Sequence, residues 1–185
     1  MNWLNIWNSR EVKGIENVPK KDVLEGLLEM DGFDSPTGNI EVGAWIEYID
    51  QIIDVLDLES SETIYEVGCG AGAFLYMLYV KDYKVAGLDF SKDLIEVAQK
   101  AMPGMLFETS DALELMTSPK SDYIIASSVV FYFPSYEYTE KVLELMYEKA
   151  NMAIVILDVP DLETQERCEN FRRGALSEKE YKMKY

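Results

Sequence analysis

Glu66-Val67-Gly68-Cys69-Gly70-Ala71-Gly72 is the stretch whose reading decides the fold of this chain. The short apolar run Thr63-Ile64-Tyr65 precedes it, and the apolar, helix-like run Ala73-Phe74-Leu75-Tyr76-Met77-Leu78 follows. A strand, a glycine turn and a helix N-terminus therefore follow one another. Glycine suits such a turn because its backbone angles penalise a Cβ, and because a bound ligand must approach the main chain closely. The arrangement predicts a nucleotide-like ligand at the end of the first strand.

Two ligands fit the spacing. Gly68-x-Gly70-x-x-Ala73 satisfies the dinucleotide fingerprint, with Asp89 about 20 residues on to hold a ribose hydroxyl. That reading implies an NAD-dependent oxidoreductase. The same residues resemble motif I of the class I S-adenosylmethionine-dependent methyltransferases, acidic-x-Gly-x-Gly-x-Gly. Glu66 supplies the acid two residues before the first glycine, and the third glycine falls at Gly72. Some 60 residues precede the motif, whereas dinucleotide domains often open with it.

The following segments resemble the same family in order. Lys84-Val85-Ala86-Gly87-Leu88-Asp89 reads as a second strand ending in an acid, and Ser91 is placed to cap the next helix, Lys92 to Ala101. Met105 to Thr109 reads as a third strand, Ser121 to Val129 as a fourth, and Asn151 to Pro160 as a fifth, nearly all apolar as a strand covered on both faces should be. The resemblance implies a parallel Rossmann-like α/β sheet in the order 3-2-1-4-5, with S-adenosylmethionine as cofactor and S-adenosylhomocysteine as product. It places Gly68, Cys69, Gly70 and Gly72 against the methionine portion, Glu66 near its amino group and Asp89 on the ribose. Phe90 would flank the adenine, while Ser110, Asp111 and Ala112 would read its edge and Ser127 would face the methyl group. Ser128 and Tyr132, just after the fourth strand, are substrate-side candidates, with Tyr132 also the candidate catalytic residue.

Residues 1–61 are read as a helical cap and 62–185 as the cofactor-binding domain, one folded unit long enough to bury a real core. Trp3 and Trp7 lie on an apolar helical face and are candidate lid residues, Trp7 a substrate contact. Helices are expected over Lys20 to Met30 and Glu41 to Leu56, and the turn-rich loop 31–38 offers polar acceptor contacts. After the fifth strand, Asp161 to Tyr185 reads as a polar helix broken at Gly174. The family normally adds two more strands here. The fifth strand would otherwise be a bare apolar edge, so it is expected to be covered by the chain's own C-terminus or by a second copy in a homodimer.

Composition sets the outer limits. The net charge of −17 repels phosphate backbones and argues against nucleic acid as partner. The chain contains no histidine, which removes imidazole bases and imidazole metal ligands, so no metal is expected. Two cysteines, one inside the glycine turn, do not suggest a disulfide framework. The longest apolar run is too short to span a bilayer and no basic leader precedes it, which together point to the cytoplasm. The functional expectation is methyl transfer to nitrogen or oxygen of a small-molecule acceptor, such as a sugar, a sugar nucleotide or a secondary metabolite. A non-catalytic cofactor-binding module is the alternative.

Overall fold

The computed structural model describes residues 20–34, 39–179 and 181, so Trp3, Trp7 and residues 35–38 lie outside the described residues. Two helices, α1 (Lys20–Met30) and α2 (Val42–Leu56), precede the strand β1 (Thr63–Val67) and the helix α3 (Ala73–Tyr79). Then come β2 (Lys84–Asp89), α4 (Lys92–Ala101), β3 (Leu106–Thr109), β4 (Ser121–Ser127), α5 (Tyr136–Lys149), β5 (Ala150–Leu157) and α6 (Gln165–Ala175). The five strands form one sheet in the order β3-β2-β1-β4-β5, with all four pairings parallel.

The sequence of α3 explains where the cap sits. Six consecutive residues, Ala73 through Leu78, are buried, as happens to a helix packed on every side. The sheet covers one side of it, while α1 and α2 contribute Leu24, Leu27, Leu28, Trp45 and Ile49 to the same apolar core. The other face of the sheet packs Val67, Leu88, Ile124 and Ala126 against Val142 and Met146 of α5. A buried cation closes this face. Lys149 is 3% exposed, donates to the carbonyls of Met116 and Pro119 at 2.8 and 2.9 Å, and lies 4.4 Å from the centre of the Tyr65 ring.

The pairing register brings the functional ends of the strands to one rim. Val67 pairs with Leu88, Asp89 with Thr109, and Ser127 with Leu157. Three expectations need correction. β4 ends at Ser127 rather than Val129, because Ser128 turns into the left-handed region at φ 54°. β5 packs Ala153, Val155 and Leu157 against one core and Ile154 and Ile156 against the other, but none of its residues is fully buried, and no strand pairs with its outer edge among the described residues. Gly174 does not break a helix but lies within α6, which buries none of its side chains and so packs little over the edge strand.

Gly87 carries a constraint that motif reading did not single out. It lies inside β2 beneath the glycine turn, where an added Cβ would stand 2.9 Å from Cβ and Sγ of Cys69 and 3.0 Å from the carbonyl oxygen of Glu66. Gly87→Ala should lift the turn off the strand and cost about 1–3 kcal/mol, the usual range for overpacking. The shift in the urea unfolding midpoint measures it.

Candidate active site

The rim formed by β1, β2 and β4 opens on a cavity of about 590 Å³. Of the residues singled out by sequence, Glu66, Gly68, Cys69, Gly70, Asp89 and Phe90 line it, as do Ser110, Asp111, Ala112, Ser127, Ser128 and Tyr132. Gly72 does not; it faces backwards, and a Cβ there would stand 2.5 Å from the Met102 methyl group.

The turn is held from within the protein. Gly68 and Cys69 both donate their N–H to the Leu88 carbonyl, at 2.8 and 2.9 Å, and Gly72 donates to the Cys69 carbonyl at 2.9 Å. Gly70 donates to Asp89 Oδ2 at 3.0 Å, and the other Asp89 oxygen takes the N–H of Ser91 at 2.8 Å. Ala71 and Ala73 donate to the two oxygens of Asp31, at 2.6 and 3.0 Å. Every N–H from residue 68 to residue 73 therefore has a protein acceptor. Gly70 has φ 54°, and a Cβ on it would collide with Asp31 Oδ1. The need for glycine here comes from the protein's own carboxylate pressing on the turn.

Asp31, Glu66 and Asp89 gather negative charge around this turn. Glu66 is 2% exposed, and its Oε2 has no hydrogen-bond partner among the described residues. Burial first, then the charges of Asp31 and Asp89, push its carboxyl well above the usual range. Burial also raises Asp89, against the opposing pull of the Ser91 and Gly70 N–H groups. Cys69, buried near the three carboxylates, has its thiol pushed well up, by desolvation first.

At the β3 end, Asp111 Oδ1 accepts from the Leu113 N–H at 2.9 Å and from the Tyr138 hydroxyl at 2.7 Å, which fixes the side chain. Burial and this bond push the Tyr138 hydroxyl above its ordinary value. At the β4 end, the Ser128 hydroxyl donates to Asp158 Oδ2 at 2.7 Å. From the cap, Phe33 and Trp45 line the cavity with ring centres 4.8 Å apart, and the Trp45 indole N–H donates to the Ala73 carbonyl at 3.2 Å.

Residues 64–151 match a family model described as a methyltransferase domain. The chain has the class I methyltransferase fold. A peramine synthetase of Metarhizium rileyi is 26% identical to this chain over 161 residues, covering 79% of this chain and 6% of that protein. A trans-aconitate 2-methyltransferase of Methylobacterium nodulans is 28% identical over 79 residues, 42% of this chain and 31% of that protein. The chain thus spans less than a third of either relative. Among solved structures, the magnesium protoporphyrin IX methyltransferase of Synechocystis with bound S-adenosylmethionine shares the fold. Its TM-score is 0.52 at 19% identity, over 77% of each chain.

Several residues of the cavity escaped sequence reading. Asp31 stood in a turn-rich loop and was expected to face the acceptor, but its carboxylate is turned onto the glycine turn. Phe33, Trp45 and Tyr138 reach the cavity from elements outside the motifs. Only the wholly apolar character of α3, which demands a covering layer, hinted at the first two.

Glu66 makes the fold depend on pH. Its folded carboxyl sits above its unfolded value, so between the two the folded state holds the extra proton and stability falls as pH rises. The cost is fully present above the folded value. Glu66→Gln should therefore melt about 2–4 °C higher than the parent at pH 8, the size of a ~1 kcal/mol gain in a chain of this length. The difference should shrink as pH falls toward 5. Melting curves across that range test it.

Proposed function

We propose that the chain binds S-adenosylmethionine in this cavity and catalyses methyl transfer to a nitrogen or oxygen of a small-molecule acceptor. One observation carries the choice of cofactor: every N–H of the turn is already taken, and the acceptors include the carboxylates of Asp31 and Asp89. A dinucleotide pyrophosphate needs free N–H donors at this helix start and an absence of neighbouring anions. It would meet neither. A ligand carrying an ammonium and a sulfonium meets complementary charge instead, with Asp31, Glu66 and Asp89 all in the lining.

The residues fit the rest of that ligand. Asp89 uses one acceptor position on each oxygen and keeps others for ribose hydroxyls. Asp111 keeps Oδ2 for an exocyclic amine, with Ser110 and the Ala112 amide beside it, and Phe90 is placed to flank the adenine. Gly68 and Gly70 border the methionine portion, Gly72 shapes the turn from behind, and Cys69 contributes wall. Ser127 lies at the methyl end, with Ser128 and Tyr132 on the acceptor side.

When bound, S-adenosylmethionine supplies an electrophilic methyl carbon on a good leaving group. The chain contributes placement, which alone can be worth several kcal/mol. With no histidine in the sequence, a proton released by the acceptor passes to an Asp, Glu, Tyr, Lys or Cys side chain, Tyr132 being the candidate, or to water. A small acceptor accords with trans-aconitate, named for the Methylobacterium relative. The net charge of −17 speaks against nucleic acid. No helix among the described residues is long and apolar enough to cross a membrane, and we assign the protein to the cytoplasm. Residues 1–61 act as the cap of the site in this reading.

Calorimetric titration tests the cofactor. S-adenosylhomocysteine should bind with micromolar affinity and NAD should not bind detectably, and Glu66→Gln should weaken the former about tenfold. Binding of NAD alone, or of neither ligand by folded protein, overturns the assignment. Release of S-adenosylhomocysteine with an acceptor separates an enzyme from a binding module.

A homodimer joined along β5 belongs to the same proposal, supported by the unpaired outer edge and by Met152 and Val159, each 59% exposed. Light scattering should give twice the 21.2 kDa chain mass. A monomer at micromolar concentration overturns the dimer alone.

A further inference from the structure

β4 and β5 end side by side on two non-glycine residues in the left-handed region, Ser128 at φ 54° and Asp158 at φ 55°. Side chains rarely adopt this conformation, and such strain concentrates at functional sites. A compact set of bonds holds the pair: the Ser128 N–H donates to the Leu157 carbonyl at 3.2 Å, and the Ser128 hydroxyl donates to Asp158 Oδ2 at 2.7 Å. Ser128 lines the cavity, while Asp158, to which it is hydrogen-bonded, is exposed and outside the lining.

The surroundings share one charge sign. Asp31, Glu66, Asp89 and Asp111 line the cavity, and no lysine or arginine among the described residues does. Glu66 belongs to this lining although it is nearly inaccessible. The negative field extends to the side where α2 faces the strand ends. Burial raises the Tyr48 hydroxyl, and the charges of Asp158 and Glu66 raise it further. Phe33 and Trp45 supply aromatic faces in the same cavity. A carboxylate or phosphate acceptor would be repelled here, whereas an ammonium on an aromatic body would be drawn both to the acids and to the rings.

We propose that the acceptor is an organic cation, a primary or secondary amine on an aromatic or apolar body, anchored by the Ser128–Asp158 pair. This rests on the methyl-transfer reading and narrows its acceptor atom to nitrogen. The anchored ammonium gives up one proton, which leaves through the exposed Asp158 to solvent. The nitrogen lone pair then forms the new C–N bond as the methyl C–S bond breaks, and that electron pair stays on sulfur.

The test uses two probes of equal shape and opposite charge, phenethylamine and 3-phenylpropionate. Each is titrated calorimetrically into the full chain saturated with S-adenosylhomocysteine. The amine should bind at least about tenfold more tightly than the acid, and the preference should fall below about threefold in Asp158→Asn. Asparagine tolerates the left-handed conformation, so this variant should melt with the parent. Ser128→Gly, which relieves the backbone while removing the hydroxyl, should show the same loss without melting lower. Equal or tighter binding of the acid, no binding of the amine at about 20 mM, or a preference that survives both variants overturns the proposal. If S-adenosylhomocysteine itself fails to bind, the methyl-transfer reading falls separately, and the same titrations on the unliganded chain still decide charge selection.

Discussion

Every backbone N–H of the glycine turn must find an acceptor away from water, and the rest of the architecture follows from how that need is met. The Leu88 carbonyl and the Asp89 side chain take three of these groups and bind the turn to β2. Asp31 takes two more and binds it to the cap. The close approach to β2 requires glycine at position 87, and the approach of Asp31 requires glycine at position 70. The helical cap is thus hydrogen-bonded to the turn as well as packed on α3, so cavity wall and cavity floor form one unit.

That solution concentrates charge where a stable fold would avoid it. Glu66 lies in an apolar strand under the influence of two other acids, with one oxygen unpartnered among the described residues. Burying such a group without a partner destabilises the fold. A site of this kind is paid for by the well-packed layers on either side and becomes favourable when a cation enters. Lys149, on the opposite face of the sheet, shows the contrasting treatment: its ammonium is fully engaged by two carbonyls and an aromatic ring, and serves packing alone.

Much of this was legible from residues near the turn. Glu66, Asp89 and the glycines announced strand, turn and helix, and the apolar runs after them gave the order of the sheet. These are local signals, in which the residues that form the feature are neighbours in sequence. Asp31, Trp45 and Tyr138 were not legible because their roles depend on contacts across 27 to 42 positions of the chain. The same limit affected β5. Ala153-Ile154-Val155-Ile156-Leu157 was legible as the edge strand, but its incomplete burial was not, because composition does not report which neighbours are present. The left-handed turns at Ser128 and Asp158 left no trace either, since neither residue is a glycine.

The two cysteines stand in opposite chemical situations. Cys69 is walled in by the turn and surrounded by acids that disfavour its thiolate, the form that reacts with electrophiles. Cys168 lies on α6, a helix with no buried side chain. A maleimide dye would therefore report from one defined place on the molecule, with the native sequence serving as its own single-site labelling variant.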